Sequence, residues 1–422
     1  MIEKSRTIER RLISRSILGF MILVMLVPLF MVKAGIFVPI LSSVFSRNPD
    51  YIIVPMGISF FTLQIIAYLT DIYNGKIVAQ KNILKYTLFV SFFPQIIQGP
   101  IPRYEQLEIQ LIEGHKFDEK CFTKGLHLII WGFFLKLMIA DKAAVITDMM
   151  FGKSAMYRGV YVLVAGSLYC VQLYTDFLSC VTLARGAAML FGIRLENNFN
   201  HPWFSTSIKE FWGRWHISLS SWLRDYIYIP LGGNRKGTIR KYINLTITFL
   251  ISGIWHGWGL QYIAWGLINV IYQIIGELTF DIQEKIYFCL GFKNGSREKR
   301  FIKMLITSLL TIFAVTIFRA ETLKEGVSMV VSVFTVYNPW ILFNDSLLAL
   351  GYSWKEWIVL LASIGILIKV SIEQERRSIS EWVIAKPLVI RWSIYVITII
   401  VVFVYGTYGF GFNSQDFIYG GF

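Results

Sequence analysis

Long apolar stretches, separated by short polar and basic segments, run along the whole chain. A helix needs about 20 mostly apolar residues to cross a bilayer, and ten stretches are long enough to cross it or to enter it deeply. They lie near residues 17–45, 52–69, 83–97, 125–146, 160–190, 243–275, 301–318, 327–350, 357–370 and 388–405. We therefore predict about ten membrane-embedded segments, and we expect some of them to be re-entrant.

Composition excludes a soluble fold. Of the 422 residues, 55% are hydrophobic and only 16% are charged, whereas soluble domains usually contain about 25% charged residues. Apolar runs along the whole length of a charge-poor chain predict an all-α fold. We expect residues 1–422 to form a single integral membrane domain, a polytopic transmembrane helical bundle.

The excess of basic residues has two explanations. Lys and Arg number 41 against 27 Asp and Glu, which gives a net charge of +14. In a soluble chain this excess would suggest nucleic acid, but in a membrane protein basic residues collect in cytoplasmic loops and face anionic lipid. We therefore expect membrane lipids as partners and no nucleic acid. The four cysteines show no metal-ligand spacing, so we predict neither a metal site nor a disulfide framework.

Loop charge predicts which end of the bundle faces the cytoplasm. The region 185–241 holds nine basic and only three acidic residues, and residues 293–303 are also rich in Lys and Arg. By the positive-inside rule, both regions lie on the cytoplasmic side. The C-terminal aromatic tail, residues 406–422, contains no Lys or Arg and has Asp416 as its only charged residue. We expect this tail to face outward or to fold back into the membrane.

His256 is the first of two histidines whose surroundings point to chemistry. It follows the apolar run 243–253, which as a helix would descend roughly 16 Å at about 1.5 Å per residue. His256 should therefore lie near the middle of the bilayer, where an ionisable side chain needs a polar cavity or a partner. Gly253, Gly257 and Gly259 would let the helix break and other groups approach closely. A buried neutral histidine bonded to a neighbouring helix is the alternative, and the residues alone leave both open.

His216 is the second informative histidine, and it lies in a segment with the period of an amphipathic helix. At about 100° per residue, one arc of residues 211–226 is apolar and the opposite arc is polar. We predict a continuous amphipathic helix in the cytoplasmic interface, with His216 at the edge of its apolar arc. On periodicity alone an ordinary packing histidine is the favoured interpretation, and a side chain that faces into the bundle is the other.

Several motifs within residues 55–275 resemble those of the membrane-bound O-acyltransferase (MBOAT) family. Two segments of this chain, RWHISLS at residues 214–220 and WLRDYIYIPLGGNR at residues 222–235, resemble the family's signature motif. A third, SGIWHG at residues 252–257, resembles the family's second histidine motif. Matching upstream motifs are GISFFT at residues 57–62, FFPQIIQGPIPR at residues 92–103 and NFN at residues 198–200. The resemblance is to the branch of alginate O-acetyltransferase and the teichoic-acid D-alanyl transfer protein.

The resemblance implies an MBOAT-like helical bundle, with amphipathic and re-entrant helices around a central cavity. It implies an enzyme that moves an acyl group, most simply acetyl, from a cytoplasmic thioester towards hydroxyls of an extracytoplasmic cell-surface polysaccharide. The donor would be acetyl coenzyme A or a phosphopantetheine carrier, used as a substrate, with no permanently bound cofactor. An extracytoplasmic acyltransferase partner like the SGNH hydrolases is also implied, as is a multi-pass location in a bacterial plasma membrane.

The chemistry of acyl transfer suits the two histidines. A base must take the hydroxyl proton, and imidazole, with an unperturbed pKa of about 6.5, does this at neutral pH. We assign the role of base to His256, and we expect His216 to polarise or orient the incoming thioester from the cytoplasmic side. Arg224 and Arg235 suit the phosphates of the donor.

The end of the chain carries one more candidate, Tyr419. The run QDFIYGGF at residues 415–422 resembles the Phe-Ile-Tyr tail of several polysaccharide-modifying members of the family, which implies that Tyr419 relays the acyl group to the partner. A phenol with a pKa of about 10 leaves more readily than an alkyl alcohol, so an acyl-tyrosine keeps much transfer potential. An aromatic anchor at the membrane interface is the alternative.

Other functions stay open at this point. D-alanyl transfer to teichoic acid, or acylation of a lipid or protein hydroxyl, would use the same machinery with a different acyl group or acceptor. A proton-coupled transporter would also suit intramembrane histidines beside glycines, but it predicts two related halves, which we do not find.

Overall fold

The structure, a computed structural model, describes residues 8–45, 55–114 and 116–408. Within these ranges the chain forms helices and no strands, which confirms the predicted all-α fold. The α-helices are α1 (Ile8–Lys33), α2 (Phe37–Phe45), α3 (Ile58–Tyr73), α4 (Ile83–Val90), α5 (Phe93–Ile96), α6 (Tyr104–Ile112), α7 (Glu119–Phe134), α8 (Asp141–Gly152), α9 (Val160–Leu190), α10 (Ile208–Arg214), α11 (Ile217–Leu223), α12 (Thr238–His256), α13 (Leu260–Leu278), α14 (Phe280–Cys289), α15 (Arg297–Arg319), α16 (Leu323–Thr335), α17 (Trp354–Gln374), α18 (Ile379–Ile384) and α19 (Leu388–Tyr405). Two π-helical segments (Leu135–Ala140 and Arg224–Tyr228) and three 3-10 turns (Pro202–Phe204, Pro339–Leu342 and Asp345–Leu350) complete the helical elements.

Polar side chains fix where several of these helices begin. Asn82, Asp118 and Ser296 accept hydrogen bonds from backbone N–H groups in the first turns of α4, α7 and α15. Ser353 and Glu356 form a capping box at the start of α17. Such caps replace bonds that the first N–H groups of a helix cannot make within it. The polar segments between the apolar runs therefore set the helix boundaries.

Fewer helices can cross a membrane on their own than the ten apolar stretches suggest. By length and hydropathy four of the described helices qualify, or five if a pair bent by 63° forms one span. The four are Leu12–Lys33, Val160–Leu190, Arg297–Arg319 and Leu388–Tyr405, and the bent pair is Leu260–Leu278 with Phe280–Cys289. Several predicted segments, such as 83–97 and 327–350, are divided into short helices instead. The chain is therefore a helical membrane protein in which many apolar segments are too short to span alone.

The long helix α9 is the centre of the bundle. It packs against α7, α8, α15 and α16, and most of its side chains are buried. Close contact with α7 depends on glycine: a Cβ added at Gly125 would lie 2.8 Å from the carbonyl oxygen of Gly186, and the reverse distance is the same. Small residues at such a crossing let two backbones approach within a membrane bundle.

A buried cluster of charges joins α9 to the π-helical segment 135–140. The Lys136 ammonium lies 2.7 Å from a carboxylate oxygen of Asp176 and 3.0 Å from one of Asp141. All three residues are almost fully buried. Because buried charges are tolerated when they are paired, this cluster ties α8, α9 and the π-helical segment together at one depth.

Helices α12 and α13 form a tight hairpin. A Cβ at Gly253 would lie 2.4 Å from the carbonyl oxygen of Tyr262, and one at Gly266 would lie 2.6 Å from that of Phe249. Since α13 also packs against α15, the hairpin places the end of α12 inside the bundle. The predicted close approach at Gly253 is confirmed.

Candidate active site

The predicted continuous helix over residues 211–226 is wrong. Helix α10 ends at Arg214 and α11 begins at Ile217, and His216 between them adopts the left-handed conformation, with φ +45° and ψ +53°. A left-handed conformation costs a non-glycine residue about 1–3 kcal/mol and persists where the surroundings enforce it. The apolar period continues through the segment, and this is why the pattern did not reveal the break.

Asn198 provides part of what enforces this conformation. Its backbone oxygen accepts from the N–H of Ile217 at 2.9 Å, and its side-chain oxygen accepts from the N–H of Ser218 at 3.1 Å. Asn198 is fully buried. On the other side of the turn, the N–H of Asn200 donates to the carbonyl oxygen of Arg214 at 2.9 Å. The 198–200 segment therefore clamps both ends of the turn that carries His216.

Helix α10 is itself held by an ion pair. Glu210 accepts from both the backbone and the hydroxyl of Thr206 at 2.8 Å, and Arg214 lies 2.8 Å from its other oxygen. Burial raises the pKa of Glu210, but the bonds from Thr206 and the charge of Arg214 outweigh burial and leave the pKa below its usual value. The carboxylate therefore stays ionised at neutral pH and holds Arg214 beside the His216 turn.

The imidazole of His216 points into the bundle core. Its ring centroid lies 4.5 Å from that of Phe177 on α9, and Phe60 and Trp255 lie at 6.5 and 6.2 Å. The residue is only 2% exposed. Among the described residues, neither ring nitrogen has a hydrogen-bond partner. Buried polar groups normally have a hydrogen-bond partner, so these two nitrogens are free to bind a substrate group.

His256 lies at the last position of α12, where Gly257 ends the helix. Its ring is 5% exposed and lies 4.8, 5.3 and 5.5 Å from the rings of Trp255, Trp265 and Phe318. A Cβ at Gly257 would meet the Tyr262 ring at 2.3 Å, so any other residue at this position would displace that ring. The predicted helix break after His256 is confirmed.

Both imidazoles line one small cavity. It measures about 30 Å³, which is room for roughly two water molecules. Apart from the histidines, its walls are mostly apolar and aromatic, with Asn269 and Thr311 as further polar groups. The Asn269 amide oxygen accepts from the Trp212 indole N–H at 3.0 Å. Two imidazoles in one largely apolar space can together move a proton and polarise a carbonyl group.

The predicted donor-binding arginines lie elsewhere. Arg224 is largely exposed and its Nε lies 2.9 Å from Asp225, while Arg235 is exposed in the turn at residues 229–236. Neither lines the histidine cavity. Tyr419 lies outside the described residues.

Arg103 is a residue that the sequence interpretation missed as a candidate. Its guanidinium stacks on the Tyr226 ring at 4.8 Å, and its Nη2 lies 3.4 Å from Asp225, the carboxylate that also holds Arg224. The Tyr226 hydroxyl donates to Asp71 at 2.6 Å. The buried Nη1 of Arg103 has no hydrogen-bond partner among the described residues. The FFPQIIQGPIPR motif quoted above ends at Arg103, and this was the only signal in the sequence.

Comparison with known proteins places these residues in a wider context. Residues 53–291 match the model of the membrane-bound O-acyltransferase family. The chain is 38% identical over 292 residues to the probable alginate O-acetylase AlgI of Pseudomonas putida, a match that covers 69% of this chain and 57% of that protein. It is 34% identical over 305 residues to the peptidoglycan O-acetyltransferase of Helicobacter pylori, which covers 66% of this chain and 56% of the relative.

A more distant relative is the teichoic acid D-alanyltransferase of Bacillus subtilis, 30% identical over 268 residues, which are 58% of this chain and 64% of the relative. The chain spans about half the length of the alginate O-acetylases that it matches. The family match contains both histidine motifs and the turn that presents His216. On these matches the chain belongs to the membrane-bound O-acyltransferase family.

Proposed function

We propose that this protein is an O-acyltransferase, which moves an acyl group from a cytoplasmic thioester towards hydroxyls of an extracytoplasmic cell-surface polysaccharide. Acetyl is the first choice of acyl group, because the relatives with 37–38% identity are named alginate O-acetylases and the D-alanyltransferase is less similar. The observation that carries the proposal is the shared cavity of His216 and His256.

The two histidines have different roles in the proposed reaction. His256 takes the proton of the attacking hydroxyl, the new oxygen–carbonyl bond forms, and the bond to sulfur breaks. The departing thiolate then receives the proton from the imidazolium. His216 orients the thioester carbonyl, and its lack of a protein hydrogen-bond partner supports this role.

The donor enters from the cytoplasmic side, past Arg224 and Arg235. Basic residues in 185–241 support this direction, since donors such as acetyl coenzyme A or a phosphopantetheine carrier carry phosphates. The protein is a multi-pass component of the bacterial plasma membrane. Beyond it, an SGNH-hydrolase-like acyltransferase completes transfer to the polymer, and Tyr419 relays the acyl group between them.

Reconstitution of the purified protein into vesicles tests this proposal. Labelled acetyl coenzyme A, an acetylated carrier protein and a D-alanylated carrier protein are each supplied on one face, with the extracytoplasmic acyltransferase partner and a polysaccharide acceptor on the other. Cys289 is the exposed one of the four cysteines, and it is the last residue of α14, just before the basic segment 293–303. Its labelling by a membrane-impermeant maleimide therefore reports which face is cytoplasmic.

We expect acetyl transfer only when the donor is on the face that labels Cys289. Transfer of D-alanine alone would replace acetyl by the second candidate acyl group, which the B. subtilis relative supports. No transfer from any thioester, or transfer only from the opposite face, would contradict the proposal.

A further inference from the structure

A second, larger cavity adjoins the histidine cavity. It measures about 290 Å³, against about 30 Å³ for the space beside the imidazoles. It lies between α9, α15, α17 and the 3-10 turn at residues 202–204. Two residues, Cys170 and Trp203, line both cavities. They are therefore the wall between the two spaces.

The second cavity has the character of a site for an alkyl chain. Its lining is largely apolar, and its few polar groups include His201 and the serines at 167, 308 and 371. The amide groups of a pantetheine arm would leave most of their hydrogen bonds unmade in such a space, which is costly. An alkyl chain has no such requirement, and it gains from leaving water.

The two wall residues come from two different elements, the 3-10 turn at residues 202–204 and helix α9. Trp203 belongs to the 3-10 turn Pro202–Phe204, which begins at His201, the other described non-glycine residue with a left-handed backbone, at φ +47°. Its indole packs against Phe211 at 5.7 Å and Tyr174 at 6.2 Å. Cys170 is buried on the central helix α9. The partition is thus part of the aromatic core around the His216 turn.

We propose that Trp203 and Cys170 are specificity-determining residues, which restrict this enzyme to short acyl groups by closing the histidine cavity off from the alkyl-sized space behind it. This inference rests on the proposed acyl transfer from a thioester. A longer acyl group placed at the histidines has no room beside them, and its tail would enter the second cavity if the wall were lowered. The wall takes part in no bond that forms or breaks.

The test compares acetyl and hexanoyl coenzyme A as donors for the full chain in vesicles. Trp203→Ala lowers the wall, and Cys170→Ala lowers it less, from the α9 side. For Trp203→Ala we expect the ratio of kcat/KM for hexanoyl over acetyl to rise at least about tenfold, because methylene groups placed in an apolar pocket give discrimination of this order. Cys170→Ala should raise the ratio by a smaller factor.

Two further variants distinguish the effect of lowering the wall from the effect of enlarging the second cavity elsewhere. Met304→Ala enlarges the second cavity on its far side and leaves the wall intact, so the donor ratio should stay within about twofold of wild type. Ser371 also lines only the second cavity. Ser371→Phe, added to Trp203→Ala, refills the space and should remove most of the gain.

For variants with too little turnover for kinetics, a binding measurement provides the test. The non-hydrolysable thioether analogue of hexanoyl coenzyme A should raise the melting temperature of Trp203→Ala and Cys170→Ala more than that of wild type. Unchanged donor ratios and unchanged melting shifts in inserted variants would overturn the inference. A rise in the KM of acetyl coenzyme A without a change in the donor ratio would also overturn it, because the second cavity would then belong to the donor path.

The outcomes distinguish this inference from the proposed function. If wild type transfers no acyl group from any thioester, the proposed function fails, and the melting shifts still report whether the wall limits chain length. If wild type transfers acetyl and the variants gain nothing for hexanoyl, only the wall inference fails.

Discussion

His216 and His256 contact the same indole ring, that of Trp255, at centroid distances of 6.2 and 4.8 Å. The two histidines come from different motifs, His216 from the turn between α10 and α11 and His256 from the end of α12, and the indole fixes how far apart their imidazoles lie. A Lys33 ammonium 5.9 Å from the centroid of the same ring brings the end of α1 to this point. The relationship of the two histidines is therefore set by packing, before any substrate binds.

Asn198 should act as a positioning residue for His216. Asn198→Ala keeps the backbone bond to Ile217 but deletes the bond to the N–H of Ser218, so the strained turn is less well held. We expect kcat to fall roughly 10- to 100-fold, because a displacement of about 1 Å at a reacting group has this effect. The KM of the donor should change little in steady-state assays.

Asn244→Ala is the matched control for Asn198. Asn244 is equally buried, and its amide donates to Gly233 in the turn that carries Arg235, away from the cavity. Its loss should alter donor KM rather than kcat. Equal falls of kcat in both variants would mean that Asn198 contributes only stability.

Gly253 should be required for the position of His256. In Gly253→Ala the new Cβ would meet the carbonyl oxygen of Tyr262 at 2.4 Å, so α12 and α13 must separate. We expect a loss of about 1–3 kcal/mol in the free energy of unfolding, measured as a lower melting temperature in detergent, together with lower activity.

Gly276→Ala provides the contrast on α13. A Cβ there meets nothing within 4 Å, and alanine favours a helix over glycine by about 0.5–1 kcal/mol. This variant should keep or raise the melting temperature. A lower melting temperature for Gly276→Ala than for Gly253→Ala would refute the close-packing explanation.

Arg103 should contribute to donor binding through Asp225 and Arg224. Arg103→Ala removes the stacking on Tyr226, and Asp225 then pairs with Arg224 only. We expect donor KM to rise about tenfold at nearly constant kcat, and the difference to shrink at high salt, where phosphate contacts are screened. Arg103→Lys should not restore KM, because an ammonium cannot stack and pair as the planar guanidinium does. A fall in kcat with unchanged KM would contradict this role.

Tyr419→Phe separates relay from anchor at the C-terminus. The ring is kept and only the hydroxyl is lost, so an anchor would be undisturbed. If Tyr419 relays the acyl group, polymer modification should stop and the acylated C-terminal peptide should be absent from mass spectra of the variant. Wild-type modification rates, with no acylated peptide in the native protein, would identify Tyr419 as an anchor.

The sequence predicted the features of this site that depend on local chemistry. The end of α12 at His256 and the close approach at Gly253 follow from glycine, whose missing Cβ is visible in any sequence. The break at His216 was missed because apolar residues at positions 211, 215, 219 and 222 keep a helical period across it. The roles of Asn198 and Arg103 were missed for another reason: each depends on a partner from a distant segment, and no periodicity carries that information.

For a related physical reason, the ten predicted membrane-embedded segments outnumber the four or five described helices that are long and apolar enough to span a membrane alone. Apolar runs such as 125–146 look long enough to cross a bilayer, but this one includes the π-helical segment 135–140, which departs from regular α-helix. Hydropathy indicates that a segment is buried away from water, but it does not indicate where a helix begins or ends. Close packing around α9 lets short apolar helices be buried by protein instead of lipid.

The most direct test of the account is the turnover of His256→Ala in oriented vesicles, with His127→Ala as the matched control. His127 is a partly buried histidine on α7 that contacts Tyr395, outside the cavity, so its loss should leave acetyl transfer close to wild type. Loss of His256 removes the proposed base, and kcat should fall by about 10²–10⁴ while the amount of inserted protein stays the same. Wild-type turnover by correctly inserted His256→Ala would contradict the assignment of this histidine as the base.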